Sequence, residues 1–320
     1  MVAKTEKKIK SGMKNKKVKR RIFVWSMLIF PIIQFLVFYV YTNFSQILMT
    51  FQETYIDDKG FIAYKFIKGN IFKNYIDVVR QLFQEPVLKT AFKNTCVTFI
   101  ITSVVGLTLP LVFSSYMYHK RFLSNFFKLI LFLPNIVSML VFVTIFKGLN
   151  ERAIPQLLQL ISGEIVETSY LLKDPERQFM TVYLFTLFFT SGTQLLSYSG
   201  AMSGISESIQ EAATLDGFNT AQEFIYITIP MIWPTVMTFI TIQLASFFSG
   251  KIGLTYFFGT SAEEYMYTYG YYFFVQSKAA VSSNHLFIPL STMGVIFSCI
   301  LTPIVFTVRK LLKKYGPSVD

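Results

Sequence analysis

Long apolar segments alternate with shorter polar ones along almost the whole chain. Each of six segments lacks Lys, Arg, Asp and Glu and can supply a helix of about twenty residues, which crosses roughly 30 Å of hydrocarbon. One charged residue at the centre of a spanning helix raises the free energy of membrane insertion by about 2.5–3.5 kcal/mol. The absence of charged residues from these segments therefore indicates that lipid surrounds them. The segments are 22–52, 94–118, 129–146, 178–206, 224–250 and 279–308. We therefore expect an all-α membrane protein with six transmembrane helices.

The composition supports a membrane location. The 320 residues are 52% hydrophobic and 15% charged, and 35 of them are Phe. A soluble core of this size cannot bury so much apolar surface. The charge-free run 265–277 is short and rich in Tyr, which is typical of an interface rather than of a span.

The net charge of +12 sets the expected orientation. Ten bases against a single acid occupy residues 1–21, four bases occupy 309–320, and Lys120, Arg121 and Lys128 lie between the second and third apolar segments. By the positive-inside rule these parts are cytoplasmic. We therefore expect a multi-pass protein of a bacterial inner or plasma membrane with both termini on the cytoplasmic side. The basic tail lacks interleaved aromatics, which favours anionic lipid over nucleic acid as its partner.

The polar stretch 202–232, here called the acidic loop, separates the fourth and fifth apolar segments. Its Glu-Ala-Ala sequence favours a helix, and the Asp-Gly pair at 216–217 predicts a stop and a turn. Thr220 or Asn219 is expected to cap a second short helix, with Glu223 as the capping-box partner of Thr220. The loop has no base, and its acids are Glu207, Glu211, Asp216 and Glu223. The pattern predicts a helix-turn-helix that docks on a cytoplasmic partner.

The acidic loop resembles the signature loop of permease subunits of binding-protein-dependent ABC importers. That signature is Glu-Ala-Ala, three residues, Gly, nine residues, then Ile-x-Leu-Pro, and this chain departs from it only by having Ile229 in place of Leu. The matching residues are Glu211, Ala212, Ala213, Gly217, Ile227 and Pro230. The resemblance implies a type I ABC importer permease bundle with cytoplasmic coupling helices. The residues then expected to couple to the ATPase are Glu207, Glu211, Ala212, Ala213, Asp216, Gly217 and Pro230.

The same resemblance implies the partners. They are a second permease subunit, which we expect to be a different chain, two cytoplasmic ATPase subunits, an extracellular solute-binding protein and the lipid bilayer. The chain has no Gly-x-x-x-x-Gly-Lys-Ser/Thr phosphate loop, so ATP hydrolysis is expected on the partners and the chain itself is not expected to be an enzyme. No cofactor and no metal site are expected. No predicted span contains a pair of carboxylates, which argues against a proton-coupled carrier.

Leu133-Pro134-Asn135 resembles a form used by the family as a whole. Three looser motifs resemble its carbohydrate (maltose-type) branch: Asn74-Tyr75, Lys93-Asn94-Thr95, and Gly259 followed by Tyr271-Tyr272-Phe273-Phe274. They imply a translocation path for a sugar or oligosaccharide. Two alternatives stay open: a permease for an amino acid, peptide or phosphonate, and a non-transporting membrane scaffold.

Polar and aromatic residues in the fourth and fifth predicted spans are the candidates for lining the path. Hydroxyl and amide groups can bond sugar hydroxyls while aromatic faces pack on sugar rings. Ser and Thr in spans also often bond their own helix, so packing is the competing interpretation. The candidates are Thr186, Phe188, Thr190, Thr193, Gln194, Ser246, Phe247 and Ser249.

The chain is expected to divide into four parts. Residues 1–21 are the basic cytoplasmic tail, and 22–93 hold the first span and an external loop. Within that loop, apolar residues at three- and four-residue spacing over 72–83 predict an amphipathic helix. Residues 94–308 form the permease core around the acidic loop, and 309–320 are a second cytoplasmic tail.

Overall fold

The computed structural model describes the backbone of residues 2–58, 61–119, 122–163, 172, 174–250 and 253–317. Within these ranges it describes side chains from residue 18 onward, apart from Asn125, Pro134, Asn135, Glu176, Thr190 and Ser191. Two of these, Asn135 and Thr190, were predicted to face protein or a cavity. Their side chains therefore lie outside the described part of the chain.

The described chain is almost entirely helical. The helices are α1 Val2–Phe35, α2 Thr42–Met49, α3 Lys73–Gln84, α4 Pro86–Tyr118, α5 Ser124–Ile136, α6 Met139–Gly148, α7 Ile154–Ser162, α8 Pro175–Met202, α9 Glu207–Leu215, α10 Thr220–Glu223, α11 Ile229–Met231, α12 Trp233–Ala245, α13 Leu254–Phe258, α14 Tyr269–Ser282 and α15 Phe287–Tyr315. Short π-helical segments are Leu36–Tyr41, Leu149–Ala153 and Phe224–Thr228, and 3-10 segments are Phe247–Ser249, Glu264–Met266 and Asn284–Leu286. The strands are β1 Gln52–Ile56 and β2 Ile62–Phe66.

By length and composition, four helical segments in the described residues can cross a membrane. They are Val18–Met49, Pro86–Tyr118, Arg177–Met202 and Asn284–Tyr315. A fifth span is present if Thr220–Met231 and Trp233–Ala245, which meet at a 75° bend, count as one. These segments overlap five of the six apolar segments, so the chain is a multi-pass membrane protein.

The predicted third span is divided into α5 and α6. Val137 and Ser138 between them have extended backbones, with ψ angles of 139° and 134°. An extended pair ends one helix and starts another, because it breaks the ladder of backbone hydrogen bonds. Neither half alone is long enough to count as a span.

Helices α4 and α8 run parallel. Near the start of both, Tyr183 Oη donates to Thr98 O at 2.8 Å. Near the end of both, Ser114 Oγ donates to Leu195 O at 2.9 Å. The contacts therefore advance in the same direction along the two helices.

Helix α12 runs antiparallel to both α15 and α4. Trp233 Nε1, at the start of α12, donates to Leu312 O near the end of α15 at 3.2 Å. Just beyond the other end of α12, the rings of Phe248 and Phe297 stack with centroids 4.0 Å apart. The predicted packing of span five on span four is also present, since the rings of Tyr198 and Phe239 lie 5.2 Å apart.

The first helix is longer than expected and is followed by a hairpin that we did not predict. Within the apolar segment 22–52 the first span was predicted to occupy residues 22–42, but the helix continues to Met49 because no helix breaker intervenes. Strands β1 and β2 then pair antiparallel, with Thr54 opposite Tyr64. The turn-type residues Asp-Asp-Lys-Gly at 57–60 were the sequence signal for this hairpin.

The predicted amphipathic helix is present as α3. Val78 is buried, whereas Phe83 is 73% exposed. The Asn74-Tyr75 motif fixes this helix to the start of the hairpin: Asn74 Nδ2 donates to Thr50 O and Gln52 O, both at 2.8 Å. The Tyr75 and Thr50 hydroxyls lie 2.8 Å apart. The motif is therefore a local anchor.

The chain forms two compact units. The first comprises residues 1–76 and 287–295, and the second comprises 77–286 and 296–320. The acidic loop and every predicted path residue belong to the second unit. Helix α4 begins at Pro86 and so crosses the domain boundary expected at 93/94.

Candidate functional site

The acidic loop contains the predicted helix, turn and second helix. Helix α9 begins at Glu207, after Ser206 as an N-cap residue with extended backbone. A carboxylate in the first turn is favourable because the helix N-terminus carries partial positive charge. No base lies in the loop, so the loop itself carries a net negative charge.

Helix α9 ends in a Schellman motif. Gly217 has φ +79°, a left-handed conformation that favours glycine. Phe218 N donates to Ala213 O at 3.0 Å, and Gly217 N donates to Thr214 O at 3.1 Å. These two bonds satisfy the last carbonyls of the helix and fix the direction in which the chain leaves it.

Opposite faces of α9 have different environments. Ala213 is 3% exposed, and Ile209, one turn earlier, packs against a core cluster beneath the loop. On the other face, Glu207, Glu211 and Leu215 follow at four-residue spacing and are exposed. Leu215 is 88% exposed. One open face of α9 therefore carries two carboxylates and one large apolar side chain.

The core cluster ties the acidic loop to the spanning helices. Its buried residues come from α8, the start of the loop and the start of α12, and they are Tyr198, Met202, Ile205, Ile232 and Val236. Pro230 lies in α11, just before the 75° bend at Ile232. The start and the end of the loop are thus packed together on one apolar base.

Of the two residues expected to cap the second helix, α10, the structure has Asn219. Asn219 is the N-cap, and its partner is Gln222: Gln222 N donates to Asn219 Oδ1, and Asn219 N donates to Gln222 Oε1, each at 2.9 Å. The predicted pairing of Thr220 with Glu223 was therefore wrong. Glu223 lies instead 3.1 Å from His119 Nε2.

The His119–Glu223 pair connects the loop to the inner end of α4. Both side chains are mostly buried, and His119 Nδ1 lies 2.8 Å from Ser115 O. The pair and the core cluster together attach the loop to α4, α8 and α12. The loop is thus held against three helices of the second unit.

The candidate path residues on α8 differ in their surroundings. Thr186 is buried and its hydroxyl donates to Val182 O at 2.7 Å, within its own helix. Phe188 is 46% exposed, and Thr193 is exposed. The Gln194 Oε1 atom is buried and has no hydrogen-bond partner among the described residues. Among the described α8 candidates, Gln194 is thus the one with a buried, unpaired acceptor.

The candidates on α12 lie at its end and in the 3-10 segment that follows. Ser246 Oγ donates to Ile242 O at 2.9 Å, and Ser249 Oγ donates to Ser246 O at 3.2 Å. The Phe247 ring lies 4.9 Å from the Phe99 ring of α4. The hydroxyls here bond their own chain, as the packing interpretation expects, and they leave oxygen lone pairs available.

A polar contact between α4 and α12 was not predicted. Gln243 Nε2 donates to Thr102 Oγ1 at 2.7 Å. Ser103 Oγ, next in sequence, is buried without a partner among the described residues. The sequence contained a signal for this contact, because Thr95, Thr98 and Thr102 fall on one face of α4.

Among the described residues no cluster of His, Cys, Asp or Glu could hold a metal ion.

Comparisons with known proteins identify relatives among importer permeases. Residues 104–315 match the family model of binding-protein-dependent transport system inner membrane components. The arabinooligosaccharides transport system permease protein AraP of Halalkalibacterium halodurans is 28% identical over 218 residues, which are 67% of this chain and 64% of that protein. The lactose transport system permease protein LacF of Rhizobium radiobacter is 26% identical over 49% of this chain and 53% of LacF. The matched stretch thus spans less than two thirds of these relatives.

Solved structures share the fold. A chain of a bacterial ABC transporter involved in the import of the acidic polysaccharide alginate superimposes with a TM-score of 0.70 at 20% identity, covering 94% of this chain and 98% of that chain. A chain of the alginate transporter in complex with its pentasaccharide-bound periplasmic protein gives 0.71 at 18% identity, covering 95% and 99%. Because the family model covers most of the chain, the protein belongs to the family of binding-protein-dependent transport system inner membrane components.

Proposed function

We propose that this chain is a permease subunit of an ATP-driven importer and forms part of the translocation path for a sugar or oligosaccharide. The observation that carries the proposal is the acidic loop, which has the family's signature and an exposed docking face. The named relatives transport arabinooligosaccharides and lactose, and the structural neighbours belong to an alginate importer. A carbohydrate is therefore the substrate class that we infer.

The outward face of α9 is suited to a cytoplasmic ATPase. Glu207 and Glu211 supply negative charge, and Leu215 supplies apolar surface that a cleft would remove from water. Full burial of a Leu side chain contributes about 1.5–3 kcal/mol. We infer that each of two ATPase subunits receives one such helix, one from this chain and one from a second permease subunit. ATP hydrolysis is then a property of those partners.

A six-span topology follows from the direction of the helices. Since α4 and α8 run parallel, the chain between them must cross the membrane an odd number of times. We infer that α5 and α6 together form this crossing, as a broken span. Helix α12 then crosses once as the fifth span, in the direction opposite to α4 and α15, and α1–α2 supply the first.

This topology agrees with the distribution of bases. The inner ends of α4, α8 and α15 then lie on the same side as the acidic loop and as the basic segments 1–21 and 309–320. The positive-inside rule makes that side cytoplasmic. We infer that the chain lies in a bacterial inner or plasma membrane with residues 1 and 320 on its cytoplasmic side. The opposite side is where an extracellular binding protein delivers the substrate.

Gln194 provides a test of the path. Replacing it by leucine removes a buried acceptor that has no partner among the described residues, so a sugar hydroxyl loses its hydrogen bond. We expect KM for uptake to rise about two- to tenfold, since one such bond to a neutral group contributes about 0.5–1.5 kcal/mol. The amount of assembled transporter should stay at the parent level.

The matched control for this test is Thr238→Leu. Thr238 on α12 is exposed and its hydroxyl bonds Pro234 O within its own helix. Its replacement should leave KM unchanged. If Gln194→Leu also leaves KM at the parent value, the residue serves packing and not substrate binding.

The substrate class is tested by uptake in cells that lack the gene for this chain. Labelled arabinose-, galactose- and uronate-containing oligosaccharides are supplied together with an amino acid and a peptide. Loss of uptake of one oligosaccharide, restored by the gene, is the expected result. Loss of amino-acid or peptide uptake alone would contradict the carbohydrate assignment, and loss of none would contradict transport.

A further inference from the structure

The segment Glu264–Tyr271, here called the outer strap, comprises a 3-10 segment, two linking residues and the first three residues of α14, and much of it is buried. Met266, Thr268 and Tyr271 are each 0% exposed, and Tyr269 is 4% exposed. Connecting segments normally run over the surface because their backbone polar groups need partners. The hydrogen-bond partners of its backbone polar groups therefore hold this segment in place.

Two residues at the outer part of α4 supply those partners. Asn94 Nδ2 donates to Tyr265 O at 2.8 Å and to Tyr267 O at 2.9 Å. Both neighbours are acceptors, so the amide nitrogen and not its oxygen must face the strap. Tyr269 N donates to Thr95 Oγ1 at 3.0 Å. The Asn94-Thr95 pair thus binds every second residue of the strap, at positions 265, 267 and 269.

The strap also lies against the chain that follows α12. Thr268 Oγ1 donates to Gly250 O at 2.8 Å. A Cβ atom at Gly270 would lie 2.5 Å from Ser249 O and 2.6 Å from Gly250 O, so only glycine permits this approach. The strap therefore bridges α4 and the end of α12, next to the path candidate Ser249.

Aromatic packing closes the same region. The Tyr269 ring lies 4.8 Å from the Phe297 ring and 5.8 Å from the Phe248 ring. Burial, with a smaller contribution from the nearby Cys96, raises the pKa of Tyr269 to about 12, so the phenol is neutral at physiological pH. The strap is thus a dry cover and not a solvated loop.

We propose that Asn94 and Thr95 are positioning residues that hold the outer strap across the outer end of the translocation path, and that the path opens outward only when this contact is released. The proposal rests on the importer function inferred above. Neither residue needs to touch the substrate. The Lys93-Asn94-Thr95 motif then acts through the strap.

Cys96 serves as a natural reporter of release, because it lies beside Tyr269. Cys299, which is exposed, is first replaced by alanine. The assembled transporter in proteoliposomes is treated from outside with a membrane-impermeant maleimide, and labelling of this chain is followed by mass spectrometry. In Asn94→Asp a carboxylate replaces the amide and faces two carbonyl oxygens, so it cannot donate to the strap. We expect the labelling rate of Cys96 to rise about fivefold or more, which corresponds to the loss of one hydrogen bond.

The control for this substitution is Thr108→Val on the same helix. Thr108 is exposed and bonds Val104 O of its own helix, so its replacement should leave labelling unchanged. Thr95→Val keeps the shape of the side chain and loses the acceptor for Tyr269 N–H, so it should also raise labelling. Thr95→Ser should restore the parent rate, which a general packing defect would not do.

Parent labelling rates in both Asn94→Asp and Thr95→Val overturn the proposal. If the Asn94→Asp transporter does not assemble, the labelling rates of Thr95→Val and Thr95→Ser alone decide whether the proposal holds. The labelling does not depend on ATP hydrolysis, so it is separable from the importer function. Faster labelling without any response of ATP hydrolysis to a binding protein would support the strap and contradict the importer.

Discussion

Replacing Gly217 by proline is expected to abolish ATP-driven uptake while the chain still inserts into the membrane. Proline holds φ near about −65° and has no N–H, whereas Gly217 has φ +79° and its N–H bonds Thr214 O at 3.1 Å. The conflict costs about 3 kcal/mol or more, enough to reduce the correctly turned loop about a hundredfold. Uptake and binding-protein-stimulated ATP hydrolysis should fall together.

Two controls separate the turn from a general loss of folding. Gly217→Asn keeps access to the left-handed conformation and should retain most of the uptake. Gly163 has φ +70° and also follows a helix, α7, but it lies between the third and fourth apolar segments, in a loop that the six-span topology places on the external side. Gly163→Pro should therefore leave ATP coupling intact. Normal uptake by Gly217→Pro would show that the turn has no part in coupling.

Reversing the charge of Glu211 is expected to prevent association with the ATPase. Glu211 is exposed between Glu207 and Leu215 on the outward face of α9, and the loop contains no base. If that face enters a complementary cleft, Glu211→Lys replaces an attraction with a repulsion. Close charge pairs at interfaces couple by about 1.5–7 kcal/mol, so affinity should fall at least about tenfold. Co-purification of the ATPase subunit measures this.

Glu211→Gln removes the charge but keeps the shape, and it should give an intermediate loss. The control for charge reversal itself is Glu151→Lys, at an exposed position in the predicted external loop. It should leave the complex intact. A Glu211→Lys chain that still retains the ATPase at parent affinity would exclude this carboxylate from the docking surface.

Much of the helical layout was readable from the sequence because lipid imposes a simple pattern. A span must be apolar over about twenty residues, so charge-free segments mark it. The break between α5 and α6 was not readable, since Val137 and Ser138 do not by themselves end a helix. The hairpin β1–β2 was not predicted, because the pattern of apolar segments leaves 52–66 as an undivided loop.

The acidic loop shows where local sequence becomes ambiguous. Both Asn219 with Gln222 and Thr220 with Glu223 have the three-residue offset of a capping box. The structure selects the first pair, and Glu223 pairs with His119, which is 104 residues away in the chain. Only the tertiary contact separates the two possibilities. Gly217, by contrast, was predictable, because an Asp-Gly pair after a helix signals a left-handed turn.

The interior of the candidate path was the least predictable part. A pattern of polar residues on the fourth and fifth spans could not assign hydrogen bonds. Thr186 and Ser246 turned out to bond their own helices, whereas Gln194 has a free acceptor. The Thr102–Gln243 bond joins residues 141 positions apart. Such pairings depend on the register between helices, which a single sequence does not contain.

The most direct test of the coupling role of the acidic loop is ATP hydrolysis by the reconstituted assembly, measured with empty and with sugar-loaded binding protein. The account predicts that the loaded protein stimulates hydrolysis and that Gly217→Pro removes the stimulation. Failure of the chain to assemble with any ATPase would contradict the account, as would undiminished stimulation in the Gly217→Pro assembly.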